Sequence, residues 1–403
     1  MKKRILFVDD EPRILQGLEN LLVRYRRKWE MTFAASGAAA LDQMRQTPVD
    51  VIVADMRMPM MDGAALLRIV KDEHPETVRI ILSGQSEIEL AMRAVPVAHQ
   101  FLDKPCKPET LERVVERACS LQALVGDETL RRLVGGLKKL PALPAAYSAL
   151  QRTLADEESG AREVARIIER DIAMSAKVLQ LVNSAFFGLS RHVTSVSDAV
   201  SYLGFSMIQQ LVLGSEVFGG DSLRSPNGFS LEGLRDHSLL TAGIARGILA
   251  ENRKQAGDAW TAGLLHDIGK LVLAAELPEH LTATASAAKQ SGRAPFQVEQ
   301  ELYGVTHAEI GAYLVGVWGL PYPIVEAVGN HHTPERVEHP GLDVLTAVHV
   351  ANALAHECEP NAGAPGSGVL NSEYIASLGF SDRLPEWRES AEELALQISG
   401  VKP

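Results

Sequence analysis

The chain has 403 residues, a formal net charge of −11, 46% hydrophobic and 23% charged residues, the profile of an ordinary globular protein with two or three domains. The acidic balance argues against an output surface for duplex DNA, which normally shows a basic face, yet leaves room for an anionic small ligand held at a metal. Three cysteines (Cys106, Cys119, Cys358) without CxxC spacing form neither a disulfide framework nor a Cys-rich zinc site and fit a reducing compartment. The chain opens directly into an apolar run, with only Met1–Arg4 ahead of it, and no later apolar run reaches about 18 residues uninterrupted. A cytoplasmic protein without signal peptide or membrane span is therefore expected.

In chain order, Ile5–Val8 is followed by Asp9 and Asp10, and Val51–Ala54 by Asp55. Ile80–Leu82 is followed by Ser83, and Lys104 closes Phe101-Leu102-Asp103-Lys104-Pro105. Each polar residue ends a short β-like run, where a parallel sheet presents its carboxyl edge and open α/β sheets place their ligands. Three carboxylates on one edge make a hard-oxygen pocket suited to Mg²⁺, and a hydroxyl and an ammonium beside it can hold phosphoryl oxygens. The plainer alternative, acids as loop solvation and Lys104 as a surface charge, is outweighed by five elements in the required order.

On these residues, positions 1–122 resemble a response-regulator receiver domain, the phosphoacceptor module of two-component signalling. The resemblance implies a flavodoxin-like, doubly wound α/β fold with five parallel strands. It further implies phosphorylation of Asp55 by a sensor histidine kinase or phosphotransfer protein. Asp9 and Asp10, with Asp55 and the Arg57 backbone carbonyl, would hold Mg²⁺. Ser83 and Lys104 would contact the phosphoryl oxygens, and Phe101 would be the aromatic that swings inward on activation. The segment Asp55–Gly63 and the cis-prone Lys104–Pro105 bond fit the same pattern. Many receivers pair through one face, so a homodimer is within expectation.

From Pro108 to about Leu124, apolar residues recur at helical spacing and read as a last helix running into a connector. Glycines 126, 135 and 136 interrupt it, so a helical linker is placed at 123–138. The remainder is helical by pattern, with Val164–Val182 and Thr241–Leu249 carrying apolar residues at i, i+3, i+4 and i+7. Residues 219–228 and 359–368 read as flexible, and 371–403 as a small helical tail of undefined role. Phe186-Phe187 reads as core packing rather than a base-stacking platform.

Six polar residues in this half stand in apolar helical contexts: His237, His266-Asp267, His307 and His331-His332. Imidazoles and a carboxylate on apolar helices are costly to bury unless something satisfies them, and iron, manganese, zinc or nickel does so well. One carboxylate beside several imidazoles can bridge two ions. His349 and His356 read as a solvated or capped helix face, and His192, His280 and His339 as loop or surface residues.

The order His, His-Asp, His, His-His is similar to the HD superfamily of metal-dependent phosphohydrolases, including the HD-GYP cyclic di-GMP phosphodiesterases. The resemblance is closest to the HDOD (HD-related output) domains, through Leu140-Pro141-Ala142-Leu143-Pro144, Val178–Gly188 and Ala199–Gly204. An all-α domain over 139–370, with an HD-type core at about 230–356, is implied. By the same resemblance His237, His266, Asp267, His307, His331 and His332 fall on metal-ligand positions, and Lys270 on a lysine able to hold a phosphate oxygen. Asn352 stands where catalytic relatives carry a final aspartate, a weaker ligand, and Thr333-Pro334-Glu335 replaces the Gly-Tyr-Pro signature. A metal-loaded site and a metal-free relict core both remain open. The expected output is protein–protein interaction with a downstream signalling protein. The alternatives are a receiver-gated phosphodiesterase or phosphohydrolase on a cyclic dinucleotide or other nucleotide, and a silent sensor with a nucleotide ligand.

Overall fold

The computed structural model describes residues 2–84, 93–124, 128–137, 140–142, 144–155, 159–184, 192–213, 218–219, 229–338, 341–359 and 368–399. Phe186, Phe187, His339 and most of the two stretches expected to be flexible lie outside the described residues. The chain divides into two compact units, one centred on the residues up to Lys139 and the other on the helices from Leu140 onward.

The first unit is built on five strands: β1 (Lys3–Val8), β2 (Trp29–Ala34), β3 (Val51–Asp55), β4 (Val78–Gly84) and β5 (Gln100–Lys104). They form one parallel sheet in the order β2-β1-β3-β4-β5. Helices α1 (Pro12–Leu22), α2 (Gly37–Gln46), α3 (Gly63–Glu73) and α4 (Pro108–Leu124) connect and follow the strands. A sheet covered on both faces demands unbroken apolar runs rather than alternation, and all of β3 and Val78–Ser83 of β4 are buried. The strand order reverses between β1 and β3, the place where such sheets open a crevice at their carboxyl edge. The register Val8↔Ala54 and Asp55↔Leu82 brings the ends of β1, β3 and β4 level there.

The connector is a helix of its own, α5 (Glu128–Gly136), and it belongs to the first unit. Arg79 of β4, 2% exposed, fastens it. Its Nη2 donates to the Gly135 carbonyl at 2.7 Å, Nε to Val97 O at 2.7 Å, and Nη1 to Pro75 O and Thr77 O. A guanidinium can be buried here because backbone carbonyls receive its donors. Gly135 lies so close to Pro75 that a Cβ would fall 1.7 Å from the Pro75 carbonyl oxygen.

The second unit is helical: α6 (Pro144–Ala155), α7 (Ala161–Ile168), α8 (Ile172–Val182), α9 (Val196–Leu213), α10 (Leu231–Ile248), α11 (Arg253–Leu265), α12 (Ile268–Glu276), α13 (Pro278–Ser291), α14 (Pro295–Tyr303), α15 (His307–Val317), α16 (Tyr322–Asn330), α17 (Val344–Cys358), α18 (Ser372–Ser377) and α19 (Leu384–Ser399). The periodic stretch Val164–Val182 is two helices, because the Asp171 carboxylate accepts from Met174 N at 2.8 Å and starts α8 afresh. A two-residue parallel pairing of Leu140–Pro141 with Phe218–Gly219, absent from the helical expectation, also occurs. Helices α10, α11 and α17 pack on one another at the centre. The tail is part of this core: α19 packs against α10 and α17, with Trp387 and Ala391 buried. Among the described residues no helix is long and apolar enough to cross a membrane.

Candidate functional site

At the carboxyl edge of the first unit's sheet, ligand atoms of Asp9, Asp10 and Asp55 lie within 4.8 Å of one another. Lys104 spans two of them, its Nζ 2.6 Å from Asp55 Oδ1 and 2.8 Å from Asp9 Oδ2. Glu11 N donates to Asp9 Oδ1 at 2.9 Å and fixes that carboxylate's second oxygen. Burial pushes the Asp55 carboxyl above its ordinary value, and Lys104 only partly offsets this. Ser83 is buried at the end of β4, and Phe101 is buried on β5. The Lys104–Pro105 bond is cis. After β3 the chain turns through Met60 (φ 66°), and Asp62 caps α3 by accepting from Ala65 N at 2.8 Å. Gly63 is required by the same turn, since a Cβ would sit 2.3 Å from the Asp55 carbonyl oxygen. An open cleft of about 370 Å³ beside Asp10 is lined by Met56, Arg57, Met58, Pro59 and Asp62.

In the second unit, His266 and Asp267 occupy the break between α11 and α12. Two glycines bring this break against its neighbours. A Cβ on Gly263 would meet Ala242 Cα at 2.7 Å, and one on Gly269 would meet the His307 carbonyl oxygen at 1.9 Å. His237 comes from α10, His307 opens α15, and His331 and His332 follow α16. Ligand atoms of Asp267, His307, His331 and His332 lie within 4.8 Å of one another, as do those of His237, His266 and Asp267. Asp267 belongs to both groups.

The hydrogen bonds fix which ring nitrogens face inward. His266 Nδ1 donates to Gly263 O at 2.7 Å and His331 Nδ1 to Val328 O at 2.8 Å, so each turns Nε2 toward Asp267. His307 Nδ1 meets Glu299 Oε2 at 2.7 Å, and its Nε2 lies 3.1 Å from both Asp267 Oδ1 and His332 Nε2. His237 Nε2 meets Asn352 Oδ1 at 2.9 Å. Lys270 Nζ is 2.6 Å from Asp267 Oδ2 and is committed to that carboxylate.

Two buried atoms here, His266 Nε2 and His331 Nε2, have no hydrogen-bond partner, and Asp267 Oδ1 faces them with only His307 Nε2, at 3.1 Å, beside it. Two imidazole lone pairs and a carboxylate oxygen converging in a buried space are costly unless a cation satisfies them. The donor set fits a borderline transition metal. Burial lowers the pKa of His266 and lowers that of His331 strongly, holding both neutral as metal ligands must be. Asp267 is held well below the usual carboxylate range, because the Lys270 ammonium beside it overcomes its burial. Burial also opposes charge on His307, but Glu299 and Asp267 prevail and raise it to about 9.

Thus the structure brings together all six expected His and Asp residues, with Asn352 against His237. It differs from expectation at two others. His349 is buried rather than solvated, its Nδ1 donating to His331 O and its Nε2 accepting from Asn371 N. His356 packs at 4.2 Å against the His237 ring instead of facing solvent. His280 lies on α13 and stacks on Tyr303, while His192 is in an exposed loop. Sequence reasoning missed Glu299 and Glu359, which orient His307 and His237. Nothing in their local sequence separates them from neighbouring surface glutamates. Beside His332 lies a cavity of about 350 Å³ lined by Phe296, Arg293, Arg336 and Thr306, with Phe296 stacked on the His332 ring at 4.5 Å.

Residues 5–116 match the family model of the response regulator receiver domain, and residues 140–334 match that of the HDOD domain. The chain is a receiver domain followed by an HDOD domain. It is similar to an uncharacterized protein of Treponema pallidum (28% identical over 53% of this chain and 41% of that protein). It is also similar to the transcriptional regulatory protein ZraR of Escherichia coli O157:H7 (31%, over 45% and 44%). A third relative is the C4-dicarboxylate transport transcriptional regulatory protein DctD of Pseudomonas aeruginosa (29%, over 46% of each). The chain thus spans less than half the length of these curated relatives. Among solved structures, the MmoQ response regulator of Methylococcus capsulatus aligns at 23% identity over 60% of this chain and 97% of its own (TM-score 0.47). The receiver domain of an HD domain-containing protein from Pseudomonas fluorescens aligns at 28% over 31% and 99% (TM-score 0.30).

Proposed function

We propose that the chain is a phosphorylation-driven switch in which Asp55 accepts a phosphoryl group and the HDOD domain is the output. A receiver joined to an output domain supports the two-component regulator role. The observation that carries the residue assignment is Lys104 bridging Asp55 and Asp9 at the sheet's switch point. An Asp55 oxygen attacks the phosphorus of a phosphohistidine on a kinase or phosphotransfer partner, and the P–N bond breaks toward the histidine. Asp9, Asp10 and Asp55 would hold Mg²⁺, which offsets the charge gathered on the phosphoryl group. Lys104, already beside the nucleophile, and Ser83 receive the new oxygens, while Phe101 and β5 form the responding element. The output is a protein-binding surface for a downstream signalling protein, with no DNA or membrane contact, and receiver pairing into a homodimer is part of the same reading. Incubation with acetyl phosphate and Mg²⁺ should give a base-labile label at Asp55 and none in Asp55→Asn. A label that survives Asp55→Asn would remove the assignment.

A second reading is favoured by the two unpartnered imidazole nitrogens around Asp267 and by the arginine-lined cavity beside His332. In it, His237, His266, Asp267, His307, His331 and His332 hold iron, manganese, zinc or nickel, and the domain hydrolyses or binds a nucleotide phosphodiester. The bound metal would polarise a phosphoryl oxygen and acidify water. Arg293 and Arg336 would draw the anionic ligand, and Phe296 would stack on a base. Hydrolysis of bis-(p-nitrophenyl) phosphate or cyclic di-GMP with added Mn²⁺ should disappear in Asp267→Ala. A protein purified anaerobically without transition metal would sink this second reading.

A further inference from the structure

A third group of donors lies next to the Asp267 clusters, shares His237 with one of them and adds two residues outside both. Ligand atoms of His237, His356 and Glu359 fall within 4.8 Å of one another. His237 projects from α10, while His356 and Glu359 stand three residues apart at the end of the facing helix α17. That spacing puts both on one face of the helix terminus. Glu359 Oε1 is 2.8 Å from His237 Nδ1, and Glu359 Oε2 is 3.6 Å from His356 Nδ1. The second distance is too long for a hydrogen bond, and His356 Nδ1 is buried without a partner. One proton can join His237 to Glu359, but no proton arrangement satisfies all three groups. Gly368 closes over the His356 ring, where a Cβ would lie 2.2 Å from Cδ2. Two imidazoles and one carboxylate are the three-ligand set with which zinc sites keep a fourth position open.

We propose that His237, His356 and Glu359 bind a zinc-class divalent cation of their own. The site shares His237 with the metal reading above, through the opposite ring nitrogen, and does not require Asp267. Metal-stripped full-length protein, titrated with Zn²⁺ against a chromophoric chelator and with Co²⁺ for its visible spectrum, tests it. Glu359→Gln, an isosteric change, and His356→Ala should each lose about one equivalent of tight metal, or weaken it about tenfold or more. Both should change the Co²⁺ bands, while Asp267→Asn retains that equivalent. Circular dichroism of both variants separates loss of metal from loss of fold, and the isosteric Glu359→Gln carries the test if His356→Ala unfolds. Wild-type stoichiometry and affinity in both variants, loss of all metal in Asp267→Asn, or a wild type that binds none would overturn the proposal. A drop in Glu359→Gln with no change in Asp267→Asn would instead remove the Asp267 metal reading and leave this one standing.

Discussion

His307 shows how one side chain carries two incompatible protonation states. Its pKa rises to about 9 between Glu299 and Asp267, against about 6.5 in an unfolded chain. A raised imidazole value stabilises the fold fully below the unfolded value, and that contribution is lost as pH climbs through about 9. In metal-free protein, Glu299→Gln should therefore cost about 2 kcal/mol near pH 6 and much less near pH 10, read by urea denaturation at each pH. A ligand imidazole must be neutral, so metal affinity should strengthen from neutral pH toward pH 9 in wild type and less steeply in Glu299→Gln. The residues ending apolar runs were legible in the sequence because their neighbours define the sheet edge: Asp9, Asp55, Ser83 and Lys104 all lie there. Glu299 and Glu359 were not, because their roles depend on helices that meet only in the folded unit. His356 was misread for a related reason, since helical spacing gives a face but not what covers it.

At the scale of elements, the HD turn depends on clearance. Gly269 leaves no room between α12 and the first residue of α15. Gly269→Ala should push His307 away from Asp267 and cost about 1–3 kcal/mol or more. Reduced thermal stability together with weakened metal binding would be the measured signature, and a variant that melts like wild type would contradict the close approach. The helical pattern of this half could be read from the sequence, yet its breaks could not. Asp171 divides the periodic stretch Val164–Val182 into two helices, and Gly204 (φ 76°) kinks α9. A periodicity argument continues through both. The terminal segment is helical, as its pattern indicates, and α19 buries Trp387 against the rest of the unit.

For the whole molecule, a switch requires phosphorylation to favour one state by a few kcal/mol, which charge-assisted contacts to a new phosphoryl group can supply. Beryllofluoride with Mg²⁺ should alter protease sensitivity or oligomeric state in wild type and leave Asp55→Asn unchanged. An equal response in both would show that the acceptor lies elsewhere. The two-part organisation was legible because parallel-strand runs give way to helical periodicity from about Pro108 onward. The junction was less legible: its glycines read as interruptions, whereas Gly135 is a seat for close packing.

That seat bears on how the N-terminal half can be excised. Arg79 sends one of its amino groups to the carbonyl of Gly135, far beyond the last strand. A fragment cut at Leu124 would lose the Gly135 acceptor and the packing of the connector on Pro75, whereas one ending at Leu137 keeps both. The shorter piece should melt earlier and aggregate more readily than the longer one, despite carrying every residue of the acidic edge. For expression and crystallisation, the natural seam falls after the connector rather than before it.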